Sequence, residues 1–169
     1  MNVQSLAFLA FLTVTVCACR LLGKKRRTWA LLAASLVFYL WSGTSAAWWG
    51  CGLLLVSSAV SLLAANRLRK DRRKGVFLAA VCYHIVVLGV FKYTGFLTGG
   101  AVEVGWAPLG LSFFTFQQLW LLKEVYTGEY VPAPGDSLLL YGLFFPTVTS
   151  GPILRPGIFF PQLREKGFL

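Results

Sequence analysis

Charge is what this chain has little of. Only 13% of its 169 residues are Asp, Glu, Lys or Arg, against roughly a quarter in soluble domains, and that deficit excludes an ordinary water-soluble core. With 57% hydrophobic residues and a mean hydropathy of +0.68, the composition is that of an integral membrane protein. Chemistry-bearing groups are equally sparse. There is one histidine, His84, and no Ser-His-Asp set, no carboxylate pair at membrane depth and no phosphate-cradling loop followed by a helix. The four cysteines, Cys17, Cys19, Cys51 and Cys82, all lie in apolar runs. Cys17 and Cys19 are two apart, roughly 200° around a helix, so they face opposite ways and cannot share a metal. All four read as small buried hydrophobes. No catalytic residue, metal site or bound cofactor is therefore assigned. The first apolar run has no basic residue before it and a positive cluster after it, which argues against a cleavable signal and for an amino terminus outside.

The charge that is present is sorted. Of 16 Lys and Arg, eleven fall in two clusters: Arg20, Lys24, Lys25, Arg26 and Arg27, then Arg67, Arg69, Lys70, Arg72, Arg73 and Lys74. The net charge of +10 is thus a topology signal, not a nucleic-acid-binding face, for which these loops are too short. Val3 to Leu22 makes a first span. Thr28 to Ala65 carries no charge, and about 38 residues at ~1.5 Å each would form a helix of about 57 Å, twice the hydrocarbon core. It must turn back, and Ser42-Gly43-Thr44-Ser45 is the break, with Tyr39, Trp41, Trp48 and Trp49 as an interfacial belt. The two basic clusters then lie two crossings apart, on one face, the cytoplasmic one. Val76 to Phe91 is the fourth span. Its His84 has no second ligand or acid at helical spacing, so a structural hydrogen bond is the expectation.

The segment Trp106 to Glu129 is aromatic and nearly uncharged, yet carries Ser112, Thr115, Gln117 and Gln118. A side-chain amide in hydrocarbon costs on the order of 4 to 8 kcal/mol unless bonded, so these imply a protein-lined or wet interior. At about 100° per residue, Ser112, Thr115 and Gln118 share one stripe, placed to line a cavity, while Gln117 points away to brace a neighbouring helix. Interhelical hydrogen bonding alone is the other reading. Pro108 and Gly110 leave two routes open: a crossing helix, or a re-entrant one that keeps Arg155, Arg164 and Lys166 on the basic face. The positive-inside bias leans to re-entry. In the last apolar run, Pro146, Gly151, Pro152 and Pro156 predict broken helix packed within a bundle. Arg155, with no acid nearby in sequence, serves either to grip an anionic group or to anchor at headgroups.

Four stretches together, FKYTGF at 91 to 96, PLGLSFFTFQQL at 108 to 119, EVYTGE at 124 to 129 and FFPTVTSGPILRP at 144 to 156, resemble the membrane-bound O-acyltransferase family. The likeness is nearest to its bacterial alginate O-acetylation and D-alanyl transfer branch, and it runs in order along nearly the whole chain. Glu124 and Thr127 stand where that branch usually has Asp and Arg, and Pro156 follows Arg155 in place of an aromatic. The resemblance implies an all-α, polytopic transmembrane bundle of about five to six spans. One span is crossing or re-entrant, and residues 1–169 form a single membrane-embedded region, the amino-terminal half of a larger fold. It implies transfer of an acetyl or D-alanyl group from a thioester, on coenzyme A or an acyl carrier protein, to a hydroxyl of an envelope polysaccharide or teichoic acid. It also implies a bacterial cytoplasmic membrane location and a carboxyl-terminal half as partner. The family's histidine base lies in that later half and His84 does not match it, so this part alone is expected to be inactive. Its contribution would be a wall, with Ser112, Thr115, Gln117, Gln118 and Arg155 lining the substrate path. A transporter or channel fragment, or a non-catalytic helper subunit, would also suit interrupted helices and a missing base.

Overall fold

In the computed structural model the described residues are 6–41, 47–99, 110–129, 135–150 and 154–164. Among them there are eight helices and no strand: α1 (Leu6–Leu21), α2 (Lys24–Trp41), α3 (Ala47–Lys70), α4 (Lys74–Leu97), α5 (Leu111–Thr127), α6 (Gly135–Leu143), α7 (Phe145–Ser150) and α8 (Pro156–Arg164). The expected all-α bundle is what forms. Two helical stretches, Trp48–Lys70 and Lys74–Gly95, are long and apolar enough to cross a membrane on their own. The protein is a membrane protein, and its surface agrees: Leu9, Val14, Leu63, Ile85, Val86 and Phe116 are all exposed, as side chains facing lipid are. The break expected at Ser42 to Ser45 lies outside the described residues. Of the four aromatics assigned to an interfacial belt, Trp41, Trp48 and Trp49 are exposed, whereas Tyr39 is only 3% exposed and packs edge-on against Phe38. A tyrosine two residues inside the helix end has a core to face, which its sequence neighbours do not reveal.

The basic residues sit at helix ends. α3 ends on Arg67, Arg69 and Lys70, and α4 begins again at Lys74 after a tight corner where Arg73 pairs with Asp71. Arg27, near the start of α2, donates its Nε–H to the Cys19 carbonyl at 3.1 Å, closing the α1–α2 corner in the same fashion. Consecutive helices α1 to α4 pack against each other, so alternating up and down they bring both corners to one end of the bundle, as the charge pattern anticipated.

Of the two routes open to the Trp106 to Glu129 segment, α5 takes the crossing one. At its start Ser112 is met by Lys92, from late in α4, and at its finish Tyr126 stacks on Phe77, from the first turn of α4, with ring centres 4.6 Å apart. α5 is therefore antiparallel to α4 and ends at the basic corner, where Arg72 Nη1 donates to the Thr127 carbonyl at 3.3 Å. Gly128 stops it in the left-handed conformation (φ 81°) that a residue with a Cβ resists.

Re-entry comes one element later. From Gly135 to Phe145 is about 15 Å of helix, half the hydrocarbon thickness, and there α6 breaks at Phe144 before Pro146. Its tip lies among Phe11 of α1 and Phe38 of α2, 5.4 and 5.2 Å from the Phe145 ring. The chain then returns: the Tyr141 hydroxyl donates to the Leu154 carbonyl at 2.7 Å, and Phe159 and Phe160 of α8 both pack on the Tyr141 ring at 5.4 Å. Arg155 consequently finishes beside the end of α5, on the basic side, with its guanidinium 5.1 Å from the Trp120 ring centre.

Candidate functional site

The break between α6 and α7 fixes what its neighbours must supply. In an unbroken helix the Phe145 N–H would bond the Tyr141 carbonyl; at the break both groups lose that partner, at a depth where none is available from water. The Phe145 N–H instead donates to Ser35 Oγ of α2 at 3.3 Å, and the Tyr141 carbonyl accepts from Gln117 Nε2 of α5 at 2.6 Å. The Thr147 hydroxyl donates to the Phe144 carbonyl at 2.7 Å, with Gln117 Oε1 a second, longer acceptor at 3.3 Å, so the amide lies against both sides of the interruption. Pro146 has no N–H to satisfy, which removes one further donor from the problem. Gln117 thus braces a neighbouring element.

One residue on, Gln118 points to a different face of α6. Its Nε2 and Ser58 Oγ of α3 are both buried without a hydrogen-bond partner. They converge on Gly142, where a Cβ would lie 2.6 Å from the amide nitrogen and 2.7 Å from the hydroxyl oxygen. α3, α5 and α6 touch here because that Cβ is missing. Thr115, one turn earlier on α5, is buried, and Phe114 beside it lies 6.2 Å from the His84 ring. His84 itself bonds Ser61 Oγ of α3 through Nε2 at 2.7 Å, the structural hydrogen bond expected of it.

The five residues singled out from sequence occupy three levels. Thr115, Gln117 and Gln118 are all buried in the core, Gln117 and Gln118 against α6 at Tyr141 and Gly142. Ser112 stands apart at the other end of α5, 3.4 Å from Lys92 Nζ, on the wall of an open cavity of about 410 Å³. Arg155 is at the basic end, over one face of Trp120, whose indole N–H donates to Glu124 Oε1 at 2.6 Å. Lys123 lies 5.9 Å from the same ring and pairs with Glu129 at 2.7 Å. That ammonium holds the Glu129 carboxyl below the usual carboxylate range, with Arg155 adding a weaker pull in the same direction. Ser35, Ser58, Tyr141, Gly142 and Thr147 were not anticipated. Their signal in the sequence is small or polar residues inside apolar runs, the positions where membrane helices approach closely. Among the described residues no three His, Cys, Asp or Glu side chains gather as a metal site.

Curated relatives include the probable alginate O-acetylase AlgI of Pseudomonas aeruginosa, 29% identical over 86% of this chain and 31% of the relative. Those of Pseudomonas putida and Pseudomonas fluorescens are 28% and 30% identical, each over 79% of this chain and over 30% and 27% of the relative. The chain spans about three tenths of the length of the curated relatives it matches. No protein-family model matches it. No solved structure matches it either. The relatives bear out the resemblance that the motifs carried.

Proposed function

We propose, from the premise that this chain is related over most of its length to part of the membrane-bound O-acyltransferases, that it forms the donor-side wall of an acyl-transfer passage. The observation that carries this reading is the half-depth hairpin of α6 and α7. It enters from the end that bears the basic clusters and Arg155 and sets a broken helix at mid-bundle against Gln117 and Gln118 of α5 and Ser58 of α3. Under the positive-inside bias that end is cytoplasmic, which sets the amino terminus outside in a bacterial cell membrane. A thioester donor, whether coenzyme A or a carrier protein, has an anionic head and a neutral arm. Arg155 suits the first, and an apolar approach with the unpartnered Gln118 amide suits the second.

The acceptor is a hydroxyl of an envelope polysaccharide or teichoic acid, presented from the opposite face. Its oxygen attacks the acetyl or D-alanyl carbonyl carbon; the C–O bond forms, the C–S bond breaks, and the hydroxyl proton passes to a general base while the thiolate leaves. His84 is committed to Ser61, so that base is assigned to the remainder of the enzyme. The test is acyl transfer by the complete protein in membranes. Arg155→Ala should raise the donor KM about tenfold, the worth of one charge-assisted contact, with little change in kcat. Unaltered donor kinetics in that variant would remove the reading.

A further inference from the structure

Two cations share one ring at the basic end of α5. The Arg155 guanidinium lies 5.1 Å and the Lys123 ammonium 5.9 Å from the centre of Trp120, both close enough for a cation–π attraction. The ring is fixed in advance, because its indole N–H donates at 2.6 Å to Glu124, one turn on and buried. That carboxylate is committed to the indole. Glu129 is the acid left to answer the two cations, and the local backbone delivers it. Gly128 turns the chain with φ 81°, and the Arg72 guanidinium, which donates to the Thr127 carbonyl, lies where a Cβ on that glycine would be. Glu129 thereby folds back over the last turn of α5, and both its oxygens meet Lys123 Nζ, at 2.7 and 2.8 Å. Arg155 forms no ion pair among the described residues, yet it pulls on the same carboxyl from farther away. The shelf around Trp120 therefore carries two positive charges against one exposed negative charge, and that one is held loosely. The Lys123 and Glu129 side chains are 48% and 54% exposed, and an exposed pair contributes little. Being part of the same chain, however, Glu129 competes at a local concentration on the order of millimolar. A head with a single negative charge gains no more from Lys123 than Glu129 already supplies. A phosphate monoester brings nearly two charges and three acceptor oxygens, enough to displace the carboxylate and engage Arg155 as well.

We propose that Glu129 is a specificity-determining residue of the donor site: it holds the place of an anion on the shelf of Lys123 and Arg155 and yields only to a head carrying more than one negative charge, a phosphate monoester or pyrophosphate. The inference rests on the acyl-transfer reading and narrows its donor. Coenzyme A has such a head, whereas the arm of a carrier protein offers a single phosphodiester.

The experiment uses the complete protein in lipid discs. The same acyl group is offered as the thioester of coenzyme A, of a carrier protein and of N-acetylcysteamine, which bears no phosphate, and binding of free coenzyme A is followed by calorimetry. Glu129→Gln should tighten coenzyme A binding about threefold to fivefold and lower the KM of its thioester, relative to that of the neutral one, by the same factor. Lys123→Met should move both in the opposite direction. Glu129→Gln added to Lys123→Met should change nothing further, since competitor and contested cation are then both gone. If Glu129 served only to order Lys123, its removal would weaken coenzyme A binding. That result, or unchanged binding, overturns the proposal, as does a wild type that takes the acyl group from the carrier protein alone. The acyl-transfer reading survives each of these as long as Arg155→Ala raises the donor KM; a wild type that uses none of the three thioesters removes both.

Discussion

Single atoms decide the packing at the centre of this protein. Gly142 reads in the sequence as one more member of an apolar run, yet its missing Cβ is what lets α3, α5 and α6 meet. Gly142→Ala should therefore cost about 1–3 kcal/mol by overpacking, measured as thermal unfolding in detergent, and adding Ser58→Ala should recover part of the loss. Gln117 works through its hydrogen bonds, not its bulk. Gln117→Leu leaves the Tyr141 carbonyl buried and unpaired, a penalty of about 1–3 kcal/mol in the same measurement, whereas a role through bulk alone would leave this substitution of similar volume nearly silent. At the surface, Glu129 is ordered by Lys123, and its depressed pKa sets the sign of a pH effect. The contact contributes above the ordinary carboxylate pKa and is lost as the pH falls through the lower folded value. Carboxyl-carbon NMR should show Glu129 titrating in acid, with the shift reduced by Lys123→Met, since the Lys123 ammonium is its main cause.

At the level of elements, the interruption of α6 at Phe144 and the crossing of α5 are two parts of one solution. The charge bias asked that Arg155 lie with the basic clusters, and a re-entrant α5 was one way to meet it. The structure meets it with a crossing α5 and a half-depth hairpin after it, since Pro146 breaks the later helix while α5 has no proline between Leu111 and Thr127. Site-directed labelling in a cysteine-free background checks this directly. Cysteines replacing Arg72, Glu129 and Arg155 should all react from one side of the membrane, and one replacing Thr98 from the other. Reaction of the Arg155 position together with Thr98 would mean that the last apolar run crosses.

For the whole molecule, α3 is the hub and α4 the rim. Of the membrane-length stretch in α3, 44% is buried inside the protein, against 11% in α4, although α4 is the more apolar of the two. Spin labels at Val86 and Val90 should accordingly show high accessibility to lipid-dissolved oxygen, and labels at Leu54 and Leu68 almost none. The sequence by itself determined that the chain lives in a membrane, that four helices come first, which corners share a face and that Gln117 must find a partner, while α3 and α4 run five and six residues past the ends expected at Ala65 and Phe91. Each of these follows from local composition: hydropathy over a helix length, clustered charge, or the cost of an amide in hydrocarbon. Only the tertiary structure decided that Tyr39 is core, that the re-entrant element is α6 with α7, that Ser35 and Gln117 divide the broken helix's backbone groups between them, and that Ser112 belongs to another site than Gln118. Those outcomes depend on which helix lies beside which. Side chains from α2, α3 and α5, as many as 110 residues from the groups they satisfy, leave no periodic trace in the chain itself.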